Sequence, residues 1–225
     1  MAASRRHWQL AGLIVVTLSC MACNPLLLPY FINGFEPKHE PEFKIALEDK
    51  KETAKVVVFV SSPLEVRREL LNADQELLSL FTKALDEGCK TNKQNVQLAT
   101  PSKVQKFKDD HPNWQSLGLV ELGKRLEADF VIDLEIAHLS LYESGSQNTL
   151  FMGRAEISVT VAQVDKPDDG PVFKKEYVTE YPRSGSRPVS DTSPLVFRRA
   201  FMTRVANDLA WMFTTHTSTQ KYQVE

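Results

Sequence analysis

Cysteine is scarce in this chain: three in 225 residues, two of which, Cys20 and Cys23, sit in one apolar stretch near the start. Cys89 then stands alone in the remainder, which excludes an intramolecular disulfide framework and a cysteine-based zinc cluster. Glycine is scarce too, at nine residues, and no Gly-rich phosphate loop is spelled anywhere. The histidines, His7, His39, His111, His138 and His216, have no metal-ligand spacing, and His-Glu-x-x-His is absent. Ser144-Gly145-Ser146 and Ser184-Gly185-Ser186 read as turns, and neither lies between a strand and a helix as a nucleophile elbow must. A basic surplus is also lacking. Lys and Arg number 27 against 29 Asp and Glu, for a net charge of −2, so no nucleic-acid partner is expected. No metal, no cofactor and no catalytic set is expected either.

What is present begins with the first 23 residues. Arg5 and Arg6 precede an unbroken run of apolar and small residues, Leu10 to Ala22, which ends at Cys23. A basic start, a short apolar middle and a small residue at the end are the parts of an export signal. The run is short for a membrane span, which needs about 20 apolar residues. A single kinked anchor from Leu10 to Ile32 is the alternative, because Leu26 to Leu28 and Phe31-Ile32 follow the Asn24-Pro25 step. Removing Arg5 and Arg6 with residues 1–22 takes the net charge from −2 to −4. The Ala22-Cys23 junction resembles the lipobox of bacterial lipoproteins, with Ser19-Cys20 as a competing site. That resemblance implies a Cys23 that becomes the first mature residue, is acylated, and holds the chain on a membrane, the outer more than the inner.

From residue 23 to 51 there is no sustained period, and Pro25, Pro29, Pro37 and Pro41 predict a tether. Residues 52–213 read as one domain. Lys55 to Val60 is a continuous apolar run, expected as a central strand covered on both faces. A helix is expected from Asn72 to Gly88, its apolar side formed by Leu77, Leu80, Phe81 and Leu85 and its stop supplied by Gly88. Asn95–Ala99 predicts a short strand. Thr100-Pro101 predicts a helix start, with a second helix from Ser116 to Leu126. Asp129–Leu141 is a long strand with Phe130, Ile132, Leu134 and Ile136 on one face, a face that His138 continues at the rim. Val131, Asp133, Glu135, Ala137 and Leu139 take the other. Phe151 to Ala162 returns antiparallel, and Val172–Tyr181 adds a third strand with Phe173, Tyr177 and Tyr181 on the core side. Ser193-Pro194 starts a last helix whose buried side is Phe197, Phe201, Val205, Leu209 and Met212. A polar, frayed tail is expected from residue 214 to 225.

Strands separated by helices need crossovers and pair in parallel, whereas hairpins are antiparallel. The expected fold class is therefore α/β, an α+β two-layer sandwich. Its mixed sheet has parallel early strands and an antiparallel C-terminal meander, with helices mainly on one face. The leader, the tether, the Lys55–Val60 strand, the step Leu126-Glu127-Ala128-Asp129-Phe130-Val131-Ile132 and the closing helix resemble the envelope lipoproteins with a TolB N-terminal-like or curli-secretion-lipoprotein-like α/β domain. That resemblance spans roughly residues 52 to 213 and implies an assembly or regulatory module rather than an enzyme.

The nearest thing to a site is Asp133 and Glu135 on one strand with Arg154 and Glu156 on the next, expected to face one another on the open side of the sheet. They form either a charged, solvated patch or a partner-binding face. A hydrolase using Asp133 and Glu135 as raised-pKa carboxylates is the remaining alternative. The expected partners are membrane lipid, through acylated Cys23, and a protein, either an envelope component or a second copy. Strand addition to the Val172–Tyr181 strand is the route if that strand is an edge.

Overall fold

The computed structural model describes residues 37–47, 52–166 and 170–217. The chain divides into two units, Met1–Lys38 and His39–Glu225, and the second carries the whole of the main sheet and its helices. The expected signal segment, Cys20, Cys23 and most of the tether lie outside the described residues.

The elements run β1 (Lys38–His39), β2 (Ala54–Ser61), α1 (Leu64–Glu69), α2 (Ala73–Thr91), β3 (Val96–Leu98) and α3 (Pro101–Asp110). After a 3-10 turn at Trp114–Ser116 come α4 (Leu119–Leu126), β4 (Phe130–Tyr142), β5 (Leu150–Gln163) and β6 (Pro171–Tyr181). Then follow β7 (Arg187–Pro188), α5 (Pro194–Ala210) and β8 (His216–Thr217). The main sheet has the order β3-β2-β4-β5-β6, with β7 set beside β5. β2 pairs parallel to both β3 and β4, while β4–β5 and β5–β6 are antiparallel. This is the mixed α/β sheet that the element order predicts.

The two long helices pack together on one face, which we call the helix face. Phe197 of α5 stacks on Phe151, and Phe81 of α2 meets Phe213 edge-on. Gly153 of β5 is where α5 comes closest: a Cβ there would lie 2.7 Å from the Phe201 ring. Both predicted caps form. Ser193 Oγ accepts from the Val196 N–H and Thr100 Oγ1 from the Lys103 N–H, each with proline next in line. The short helices cover only the β2 end of the opposite face. Phe59 packs on Phe107 and Trp114, and Gly123 of α4 sits so close that a Cβ would lie 2.3 Å from Val164 and 2.8 Å from Val131. Two faces covered explain why Val56 to Val60 are all buried.

Four expectations need correction. His138 does not continue the Phe130–Ile136 face. A β-bulge between Ile136 and His138 adds a residue, so His138 stands opposite Glu156 and Leu139 opposite Ala155, exchanging the faces predicted for them. Gly88 does not stop α2, which continues to Thr91. Its missing side chain leaves room for Thr214, whose Oγ1 would lie 2.8 Å from a Cβ. The stretch from Pro41 to Leu47, expected as tether, contributes to the core: Ile45 is buried, and Phe43 packs among Phe130, Phe173 and Phe213. The tail is not frayed at its start. Thr214 is buried and hydrogen-bonded to the Ala210 carbonyl, Asn92 donates to the Thr215 carbonyl, and His216 stacks between His39 and Trp211.

Candidate functional site

The half of the second face that α3 and α4 leave uncovered is built from alternate residues of β4, β5 and β6. Successive side chains of a strand point to opposite faces, so register partners share one. The registers set out four rows: Asp133–Thr160–Lys174, Glu135–Ser158–Glu176, His138–Glu156–Val178 and Ser140–Arg154–Glu180. Rows lie about 7 Å apart along the strands and neighbours about 4.8 Å apart across them. Five carboxylates meet two cations, Lys174 and Arg154, so the surface is acidic on balance.

Asp133, Glu135, Arg154 and Glu156 all belong to this surface, but the register does not bring them together as facing pairs. Asp133 is opposite Thr160 and Glu135 opposite Ser158. Arg154 lies three rows from Asp133, roughly 20 Å along the strands. There Arg154 Nη2 donates to Glu143 Oε1 at 2.9 Å, and its Nε lies 3.0 Å from Glu180 Oε1. Glu156 stands between His138 and Val178.

Asp133 differs from the rest because it sits where the covering helices end. Burial, and then the charge of Glu135, push its carboxyl up to about 6, while Lys108 pulls it back down. Lys108 donates from Nζ to the Val60 carbonyl at 2.7 Å and lies over the Trp114 ring, and its own pKa is lowered chiefly by burial. The Asp133 carboxyl can therefore take up or release a proton under mildly acid conditions. Among the described residues no group of three or more His, Cys, Asp and Glu side chains could hold a metal ion. Cys89 is a free, buried thiol whose pKa is pushed up to about 11 by burial and then by Asp86, which keeps it protonated and unreactive.

A second polar group lies on the helix face of β6. The Tyr177 hydroxyl donates to Asp208 Oδ2 at 3.0 Å, and Arg204 Nε donates to the same oxygen at 3.0 Å. Arg204 is only 2% exposed. Burial, and then Asp208, push the Tyr177 hydroxyl above its ordinary range, so it keeps its proton and acts as a donor. Tyr177 and Asp208 line a cavity of about 510 Å³ that His39, Glu42, Lys175 and Trp211 also border. Sequence reasoning placed Tyr177 on the core side and missed its partners. The available signal was an arginine and an aspartate four apart in a helix, with the arginine between the buried Phe201 and Val205.

Among the described residues β6 is the last strand of the sheet, paired only with β5. Phe173, Tyr177 and Tyr181 pack on the core, as their four-residue spacing predicts. Lys174, Glu176, Val178 and Glu180 are exposed, Val178 at 69%. Among the described residues no helix is long and apolar enough to cross a membrane.

The fold and surface thus define an α/β domain with a mixed sheet, closed on one face and half open on the other. Neither a family model nor a curated protein matches the chain. The structure is similar to the PelC dodecamer from Paraburkholderia phytofirmans, at 12% identity and a TM-score of 0.42, covering 80% of this chain and 99% of that one. It is also similar to lipoprotein GNA1162 from Neisseria meningitidis, at 10% identity and a TM-score of 0.43, covering 70% and 98%. A third is protein XCC0632 from Xanthomonas campestris, at 12% identity and a TM-score of 0.45, covering 80% and 95%. At these values the likeness is one of chain path alone. It extends to several bacterial proteins rather than to the TolB-like and curli-secretion group in particular.

Proposed function

We propose that the chain is a membrane-tethered, non-catalytic lipoprotein, held at a bacterial membrane through acylated Cys23, whose α/β domain binds an envelope protein during assembly or regulation. The observation that carries this reading is the half-covered sheet. One half of the second face is sealed by α3 and α4, while the other offers four rows of mostly polar side chains on rigid strands. The acidic balance of that face suits a partner with a basic surface. The lipobox-like Ala22-Cys23 junction supplies the attachment.

Crosslinking in intact membranes followed by pulldown tests the binding reading. A product between this chain and a different envelope protein is expected, and Glu135→Lys with Glu156→Lys should abolish it. Recovery of the chain alone would sink the heterologous partner. Mass analysis of the mature N-terminus tests the attachment: an acylated Cys23 is expected, and an intact Met1 would overturn it. A second reading, self-association, is favoured by the place of β6 at the edge of the sheet.

A further inference from the structure

The outer side of β6 carries a symmetry that its role inside one copy does not require. Phe173, Tyr177 and Tyr181 lie at equal intervals on the helix side, centred on Tyr177. On the open side Lys174 and Glu180 are three residues before and three after the same Tyr177. An antiparallel pair of identical strands has a two-fold axis, and a residue n places before the axis meets the residue n places after it on the other copy.

We infer that β6 pairs antiparallel with β6 of a second copy of this chain, about a two-fold axis at Tyr177. This rests on the self-association reading and gives it a register. Tyr177 then meets the partner's Tyr177, Phe173 meets the partner's Tyr181, and Tyr181 meets the partner's Phe173. Ring matches ring along the helix side, and aromatic pairs are among the stabilising cross-strand contacts. On the open side Lys174 meets the partner's Glu180, and the converse pair forms as well, so two opposite-charge pairs close the interface. Glu176 meets the partner's Val178, with no like charge opposite it.

Neighbouring registers lack this fit. An axis at Glu176 sets Glu176 against its own copy. An axis at Lys175 sets Lys175 against its own copy and leaves Tyr181 beyond the paired stretch. Like charges directly opposite destabilise a strand pair.

The backbone is available for this pairing. Among the described residues, β6 has only β5 as a strand neighbour. The backbone hydrogen bonds of the loop after it turn elsewhere, Gly185 N–H to the Pro182 carbonyl and Val189 N–H to the Thr149 carbonyl. An unpaired edge of eleven residues is a ready template for another strand. Joining two edges makes one continuous sheet and doubles the open polar face.

The test is cysteine crosslinking of the full chain in intact membranes. Glu176→Cys with Val178→Cys places thiols on directly opposed residues, whose Cα atoms would lie about 4.5–5.5 Å apart, within disulfide reach. Mild oxidant should give a covalent dimer from this variant and none from the parent chain, which keeps its buried Cys89. Glu176→Cys with Glu180→Cys, whose thiols are opposed if the axis lies at Glu176, Val178 or Glu180 but not at Tyr177, should stay monomeric. A dimer from that second variant, with or without one from the first, would overturn the proposed register while leaving self-association standing. No dimer from either, or a product with a different protein, would overturn the pairing.

A charge exchange gives an independent reading. Lys174→Glu or Glu180→Lys alone should weaken dimerisation by about tenfold, because two attractive pairs become repulsive. The double exchange should restore it. No restoration in a double variant that keeps the parent Tm would overturn the pairing of Lys174 with Glu180.

Discussion

The two halves of one sheet are built from different sequence patterns. At the β2 end Val56 to Val60 and Phe130 to Ile132 are continuous apolar runs, and both faces are covered. From Asp133 onward, and through β5 and β6, apolar and polar residues alternate and one face stays open. The pattern changes within β4 itself, at the residue where the covering helices end. One sheet thereby divides its work: the closed half supplies stability, and the open half can be varied at little cost to the fold.

The largest expected effect lies in the closed half. Phe59 is fully buried between Phe107 and Trp114. Phe59→Ala should cost roughly 3–5 kcal/mol, read as a drop in the urea midpoint at unchanged slope. A loss near zero would mean that α3 and the Trp114 turn do not seal this face. Next comes Gly153, on the helix face of the open half. Gly153→Ala drives a methyl into the Phe201 ring and should lower the thermal midpoint, at a cost of about 1–3 kcal/mol. An unchanged midpoint would mean that α5 can move away from β5.

How much of this was legible in the sequence depends on the same contrast. Continuous runs and clean alternation are long-range periodic signals, so β2, β4, β5, β6 and the face of α5 could be read directly, as could the Ser193 and Thr100 caps. The bulge after Ile136 could not, because one extra residue leaves no compositional mark, yet it moves His138 and Leu139 to the faces opposite those expected. The expected cluster of Asp133, Glu135, Glu156 and Arg154 failed for a related reason. Sharing a face was visible, but register is set by where the hairpin turns, and it puts Arg154 with Glu143 and Glu180 instead of Asp133. Phe43 and Ile45 were hidden by their charged, proline-bearing context, because tertiary packing and not local period holds them.

Asp133 marks the boundary between the halves, and its expected effect is smaller and depends on pH. In the folded chain its carboxyl holds a proton up to about pH 6, whereas an unfolded aspartate releases it near 3.9. Between those values the folded state binds more protons than the unfolded one, so stability falls as pH rises from 4 to 6. The charged form therefore weakens the fold at neutral pH. Asp133→Asn should stabilise it at pH 7 by about 1–2 kcal/mol, part of the effect being screened by water at this half-buried site. The gain should vanish below about pH 4, where both states of the parent are protonated. Unfolding curves at pH 3.5, 5 and 7 read the trend directly, and a gain that is constant across them would place the effect in packing rather than in charge.

The smallest expected effect on stability is the most informative for the open half. Glu156 is exposed between His138 and Val178, at the centre of the four rows. Glu156→Gln keeps the side-chain size and removes one charge, so the melting temperature should move by no more than the equivalent of about 0.5 kcal/mol. Partner capture in intact membranes should nevertheless fall, and the fall should shrink as salt is raised, because rim and surface charges act through screened attraction. A variant that captures its partner as well as the parent at low salt would take this face out of the binding role and leave the edge of β6 to carry it. A variant that loses both capture and stability would show that the open half is not free of the fold, and that the division between the two halves is less sharp than the burial pattern draws it.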